Sequence, residues 1–237
     1  MNDERSVVSW SFSRLRRNMS FRHGDAAEVL DNRRQFLIRM GADYRRLVCA
    51  EQVHGARVVK VAAADAGSGA LSFESSVRSA DALITDVPGL PLGMLTADCL
   101  PVLIFDPLNK AVAAIHAGWR GSREGIIGNT LRLMKDSFET RPEDVFVEIG
   151  PSIGKCCYRV SGDFQDIFPG YVFEGAGGLF FDLSRFNKEA LLNCGVKPRR
   201  INDSGLCTSC LERDFFSYRR ENNKAGRMLS AVMLKEG

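Results

Sequence analysis

Between Ala82 and Ile115 the chain packs four apolar runs close together: Ala82–Thr85, Leu92–Thr96, Val102–Phe105 and Ala111–Ile115. None alternates polar with apolar residues, as a strand with one wet face does, so each is expected to be covered on both faces. A sheet buried on both sides needs layers above and below it, and that requirement constrains the fold more than any other feature. Further strands are expected at Val7–Phe12, Arg57–Ala62, Val145–Ile149, Leu179–Asp182 and Leu229–Leu234. Helices are expected at Ala26–Met40, Ser122–Phe138, Gly162–Ile167 and Leu183–Cys194. In the second of these, Ile126, Ile127, Thr130, Leu131 and Met134 recur at helical spacing and form one apolar face. Strands outnumber helices without alternating strictly with them. The expected class is therefore α+β, with mixed β-sheets packed in layers and flanking helices.

The segment from Ala64 to Ser76 is rich in Gly, Ala and Ser and reads as a loop. No linker or internal repeat divides the sequence, so residues 1–237 are expected to form a single catalytic domain. With 45% hydrophobic residues the chain can fill a sizeable core. Its 32 basic and 29 acidic residues leave a net charge of +3, which argues against nucleic acid as the main partner. The greasiest stretch, Val87 to Phe105, is interrupted by Pro88, Pro91, Asp98 and Pro101, so no membrane span is expected. The acidic opening Asp3-Glu4 lacks the apolar core of a secretory signal, and a cytoplasmic location is expected.

Three polar segments fall at the ends of expected strands: Glu51-Gln52-Val53-His54-Gly55, Thr96-Ala97-Asp98-Cys99-Leu100-Pro101, and Ile115-His116-Ala117-Gly118-Trp119-Arg120-Gly121. The chain has only three histidines, and two of them lie here. Zinc accepts imidazole nitrogen and thiolate sulfur tetrahedrally, and catalytic sites commonly leave its fourth position open. Long, unequal gaps separate His54, Cys99 and His116, which suits a site assembled from separate strand ends rather than a finger-like hairpin. Taken singly, each residue is also an ordinary core histidine or thiol.

The strings QVHG, ADALITDVPGLPLGMLTADCLPVLIFDP, AAIHAGWRG and IGPSIGKCCYRV, in this order, resemble the bacterial YfiH-type family. Its members are variously called polyphenol oxidases, laccase-domain proteins, peptidoglycan editing factors or purine nucleoside phosphorylases. The resemblance runs from about Asp25 onward and includes Cys207-Thr208-Ser209-Cys210 and Phe216-Ser217-Tyr218-Arg219-Arg220. It implies a YfiH-like fold and a Zn2+ ion held by His54, Cys99 and His116. It also implies phosphorolysis of adenosine, inosine, guanosine and methylthioadenosine, together with deamination of adenosine. One departure is the stretch after the first strand, where only Ser13 to His23 stands in place of a longer glycine-rich segment.

Around these ligands, Cys99, His116 and Asp98 are the expected catalytic groups, with Asp98 as an acid/base or a turn carboxylate. Arg120, together with Arg123, and Ser122 at a helix start are expected to hold phosphate, and Gln52 to contact substrate or cap a turn. Adjacent cysteines rarely ligate one metal together, so Cys156 and Cys157 are read as one buried and one cavity-lining thiol. Cys207-x-x-Cys210, without a second pair, reads as a redox or structural motif. The partners are then purine nucleosides and phosphate, in a monomer or homodimer. Two other enzyme classes use the same residues: a copper-dependent phenol oxidase and a cysteine hydrolase with Cys99 as nucleophile. Three histidines are too few for a multicopper cluster, so zinc ranks ahead of copper. A plain binding module accounts least well for polar groups gathered at strand ends.

Overall fold

The structure, a computed structural model, describes residues 7–236. In chain order the first strands are β1 (Val8–Phe12), β2 (Val48–Cys49), β3 (Val58–Lys60), β4 (Ala82–Thr85) and β5 (Leu92–Thr96). The central pair follows as β6 (Leu100–Asp106) and β7 (Ala111–Ala117). Then come β8 (Phe146–Ile149), β9 (Arg159–Val160), β10 (Val172–Gly175), β11 (Gly178–Phe181), β12 (Ile201–Asp203) and β13 (Met228–Leu234). The helices are α1 (Ala26–Arg39), α2 (Trp119–Arg123), α3 (Ile126–Phe138), α4 (Phe164–Ile167), α5 (Leu183–Asn193) and α6 (Tyr218–Glu221).

These strands form three sheets. One has six strands in the order β12-β8-β6-β7-β4-β3, one has four in the order β1-β13-β5-β2, and a small one runs β10-β11-β9. Parallel and antiparallel pairs coexist in the two larger sheets, so both are mixed.

The apolar runs are covered on both faces, as expected. Val102, Ile104, Ala113 and Ile115 face a core completed by Ile126, Ile127, Leu131 and Met134 of α3 and Leu191 of α5. Leu83, Leu103, Phe105, Val112 and Ala114 point the other way, onto Val8, Leu92, Met94, Val232 and Leu234 of the four-stranded sheet. Leu229, Ala231 and Met233 alternate out of β13 to meet Phe36, Leu37 and Met40, which follow α1's helical spacing. The layer order is thus α1, four-stranded sheet, six-stranded sheet, then α3 and α5. This is the α+β layered class with flanking helices.

Two local differences have simple causes. The helix expected over Ser122–Phe138 is split into α2 and α3 because Gly125, at φ 80°, takes the left-handed conformation that ends one helix and caps the next. The short strands β2, β9, β10 and β12 span two to four residues, too few for a readable period. Ala64–Ser76 contains no strand: it opens within the 3-10 turn Ala63–Asp65 and continues in turns and bends.

Candidate metal centre and its cavity

The three sequence segments converge at one end of the two larger sheets. His54 sits in the turn after β2, at φ 61°. Cys99 closes the three-residue link Ala97-Asp98-Cys99 that carries the chain from β5 in one sheet to β6 in the other, with Asp98 at φ 89° making the reversal. His116 lies near the end of β7. Their ligand atoms all fall within 4.8 Å of one another. The two imidazoles stand nearly perpendicular, with ring centroids 4.8 Å apart.

Asp81, fully buried at the head of β4, organises this cluster. Its Oδ1 lies 2.8 Å from His116 Nδ1. The same carboxylate accepts backbone N–H bonds from His54 (2.9 Å) and Gly55 (2.8 Å), with a longer one from Val53 (3.3 Å). With Nδ1 donating to Asp81, Nε2 of His116 is left to act as a ligand, the arrangement that metal-binding histidines usually adopt. Burial opposes charge on both Cys99 and His116, but their mutual attraction outweighs it. The His116 imidazole, with a hydrogen bond from His54, brings the Cys99 thiol down to about 6. The Cys99 thiolate and the Asp81 carboxylate lift His116 to about 9.

The residues fit a metal ion on three counts. Two nitrogens and a sulfur match the donor preferences of zinc or copper. One imidazole is fixed by a carboxylate behind it. Gly118 leaves a cradle, since a Cβ there would stand 3.1 Å from Cys99 Sγ and 3.3 Å from His54 Cδ2.

Exposure increases from buried His116 through Cys99 to exposed His54, so the cluster opens on one side. It opens into a cavity of about 940 Å³, which holds six arginines (22, 33, 120, 159, 219 and 227) against one aspartate, Asp98. Arg33 spends its guanidinium on the carbonyls of Met19, Gly69 and Ala70. Arg22, Arg120 and Arg159 have no carboxylate partner among the described residues. Phe21, Phe73, Trp119, Tyr158 and Tyr218 supply aromatic surface.

A family model described as multi-copper polyphenol oxidoreductase laccase matches residues 6–235. The chain belongs to the YfiH family of laccase-domain proteins. The purine nucleoside phosphorylase YlmD of Geobacillus stearothermophilus is 38% identical over 229 residues, covering 92% of this chain and 84% of that protein. The purine nucleoside phosphorylase YfiH of Escherichia coli K12 is 32% identical over 92% of this chain and 86% of its own length. The crystal structure of YlmD from Geobacillus stearothermophilus matches with a TM-score of 0.92 at 34% identity, over 99% of this chain and 94% of that one.

Within this YfiH-family fold the other expected site residues have distinct placements. Gln52 lines the cavity, but its amide pairs both ways with the Leu95 backbone at 2.8 Å, extending the edge of β5. Asp98 also lines the cavity, and its carboxylate accepts from Thr208 Oγ1 (2.6 Å), Ser217 Oγ (3.1 Å) and the Arg219 backbone N–H (2.6 Å). Arg120 reaches the cavity and stacks on Trp119, 4.4 Å from the ring centroid. Ser122 lies apart from the cavity, buried, with its hydroxyl donating to Asn187 Oδ1 at 3.0 Å. Arg123 does not reach the cavity wall either.

Sequence reasoning missed Asp81, Arg22 and Arg159. Asp81 had one available signal: a carboxylate heading an apolar run is either solvated or bonded to something specific. The arginines had none, because remote segments carry them to the rim.

Proposed function

We propose that this chain is a zinc-dependent purine nucleoside phosphorylase of broad specificity, taking adenosine, inosine, guanosine and methylthioadenosine, with a second activity as an adenosine deaminase. The observation that carries this reading is the pairing of an ordered His54–Cys99–His116 cluster with an arginine-rich, aromatic-walled cavity on its open side. His54, Cys99 and His116 would hold the zinc, which when bound supplies Lewis acidity for hydrolytic attack at the purine ring. The names of the relatives from Geobacillus and Escherichia coli, both purine nucleoside phosphorylases, support the phosphorolysis part of this reading.

Phosphorolysis needs an anion held against the ribose C1′ while positive charge develops there. Arg120, Arg159 and Arg22 are suited to fix that phosphate through charge-assisted hydrogen bonds. The purine would lie against the aromatic wall, and the buried Thr96 hydroxyl, unpartnered among the described residues, is available to a sugar or base atom. We assign Asp98 chiefly to positioning, because three donors already occupy its oxygens. Gln52 and Ser122 support the walls, and residues 1–237 act as a single catalytic domain. A monomer or homodimer in the cytoplasm suits this task; among the described residues no helix is long and apolar enough to cross a membrane.

The test is a product screen by mass spectrometry over a nucleoside panel, with and without phosphate, alongside His116→Ala. Free base and ribose 1-phosphate should form only with phosphate and be lost in the variant. Phosphate-independent products alone would replace the reading with a hydrolase.

A cysteine hydrolase is the second reading, favoured by the Cys99 thiolate facing a His116 imidazolium that Asp81 orients. Under that reading chelation preserves turnover and alkylation of Cys99 abolishes it; under the metal reading chelation abolishes turnover. Copper suits a two-imidazole, one-thiolate donor set as well. Stoichiometric copper with little zinc in protein purified without added metal would favour the phenol-oxidase alternative.

A further inference from the structure

Four of the remaining cysteines stand together on the outer side of the Asp98 loop. Cys156 and Cys157 sit in a tight turn closed by the N–H groups of Cys157 and Tyr158, both donating to the Gly154 carbonyl at 2.9 Å. Cys207 and Cys210 form the C-x-x-C turn that runs beside it, with Ser152 and Cys207 joined as a parallel bridge. The sequence spacing left Cys207-x-x-Cys210 without a second pair, and the fold supplies one from residues some fifty positions earlier. Adjacent cysteines are poor joint ligands in an extended chain, but this turn brings both to the same neighbour. Cys156 Sγ and Cys157 Sγ lie 3.5 and 3.4 Å from Cys210 Sγ. All four sulfurs fall within 4.8 Å of one another.

We propose that Cys156, Cys157, Cys207 and Cys210 form a second metal site, a closed tetrathiolate site for zinc, separate from the His54–Cys99–His116 centre. A tetrahedron with Zn–S bonds of about 2.3 Å has S···S edges of roughly 3.8 Å, within the spread these sulfurs occupy. Four sulfurs this close cannot all ionise unaided, and a divalent cation is what relieves their repulsion. The soft, all-sulfur donor set selects zinc over harder ions. A backbone donor already faces one of the sulfurs, as around ligating thiolates: the Gly154 N–H donates to Cys207 Sγ at 3.2 Å. Gly154 permits this approach, since a Cβ there would meet Cys207 Cβ at 3.1 Å and Cys156 Sγ at 3.2 Å.

Four protein ligands leave no open position, so the site's work is structural. Thr208, between the two C-x-x-C thiols, donates its hydroxyl to Asp98, the neighbour of Cys99. The ion would therefore brace the loop that presents Cys99, from residues that do not line the cavity.

The test counts metal in the full-length chain purified from zinc-supplemented growth. Wild type should carry two zinc ions per chain. Cys156→Ser with Cys210→Ser, both at exposed positions, should carry one. A His54→Ala, Cys99→Ala, His116→Ala variant should also carry one. Loaded with cobalt, that triple variant should show strong sulfur-to-cobalt charge transfer and tetrahedral ligand-field bands, lost on adding Cys210→Ser. Should the serine variants misfold, the cobalt spectrum of the triple variant decides alone. Wild type with no more zinc than the Cys156→Ser, Cys210→Ser protein, a cobalt spectrum without sulfur charge transfer, or mass-mapped disulfides among the four cysteines would each overturn the proposal.

Discussion

Asp81 and His116 meet twice: the Asp81 backbone carbonyl accepts the His116 N–H at 2.8 Å, and the Asp81 carboxylate lies 2.8 Å from His116 Nδ1. The antiparallel register of β4 and β7, which pairs Ala82 with Ile115, places the two residues across from each other at the end of the ladder. The same carboxylate gathers the His54 turn, so one side chain sets the separation of two of the three clustered residues. A metal ion there would find its site already arranged by the sheet.

Asp81→Asn keeps the volume but removes the charge that orients His116 and one acceptor of the His54 turn. Zinc affinity at the His54–Cys99–His116 site should fall by about 10- to 100-fold, the usual cost of losing such a partner. Competition against a chromophoric chelator measures it, and unchanged affinity would refute the role given to Asp81.

Gly118→Ala removes no donor, yet its Cβ would press on Cys99 Sγ and His54 Cδ2. Zinc should bind more weakly at this site while the folded content, read by circular dichroism, stays the same. Wild-type affinity in this variant would show that the cradle is slack.

Uptake at this centre should depend on pH in a stated direction. Cys99, lowered to about 6, is already a thiolate at neutral pH, whereas His116, raised to about 9, still carries the proton that a metal must displace. Affinity should therefore climb between about pH 6 and about pH 9, by about tenfold per unit where one proton is released. In the metal-free protein, the stability due to His116 is complete below its unfolded value and lost as pH rises through about 9. The part due to Cys99 is complete above its unfolded value and lost as pH falls through about 6. Calorimetry in buffers of different ionisation enthalpy counts the protons, and none released near pH 7 would contradict the pairing.

Arg120→Ala and Arg159→Ala should each raise the KM for phosphate about tenfold, the worth of one charge-assisted hydrogen bond, with zinc content intact. A change in nucleoside KM with phosphate KM untouched would move these side chains to the base or sugar.

Asp98→Asn separates two roles. As a positioning residue it should lower kcat without altering the shape of the pH–rate profile. As a proton shuttle it would delete one limb of the profile for adenosine deamination.

The layered fold was legible because Ala82–Ile115 gives its strands no wet face, and the His54–Cys99–His116 cluster was legible because each residue stands in its own motif at a strand end. Asp81 was hidden by its ordinary position before β4, where only the strand register shows that it faces His116. Ser122 was misleading in a different way: α2 starts earlier, at Trp119, and Ser122 near its end turns inward to Asn187 rather than toward the cavity. The four clustered cysteines read as two unrelated pairs because a long-range turn-to-turn contact leaves no periodic trace in the sequence.

The Asp98 clamp has a consequence for the order of events during synthesis. His54, Cys99 and His116 all leave the ribosome early, while the partners that fix Asp98 belong to residues 208, 217 and 219. The central place between β1 and β5 is filled only by β13, the last strand of the described chain. A nascent chain thus exposes His54, Cys99 and His116 before the partners that fix the Asp98 loop have been made. Assembly of the preorganised cluster is in effect postponed until β13 and the residues that clamp Asp98 have been made.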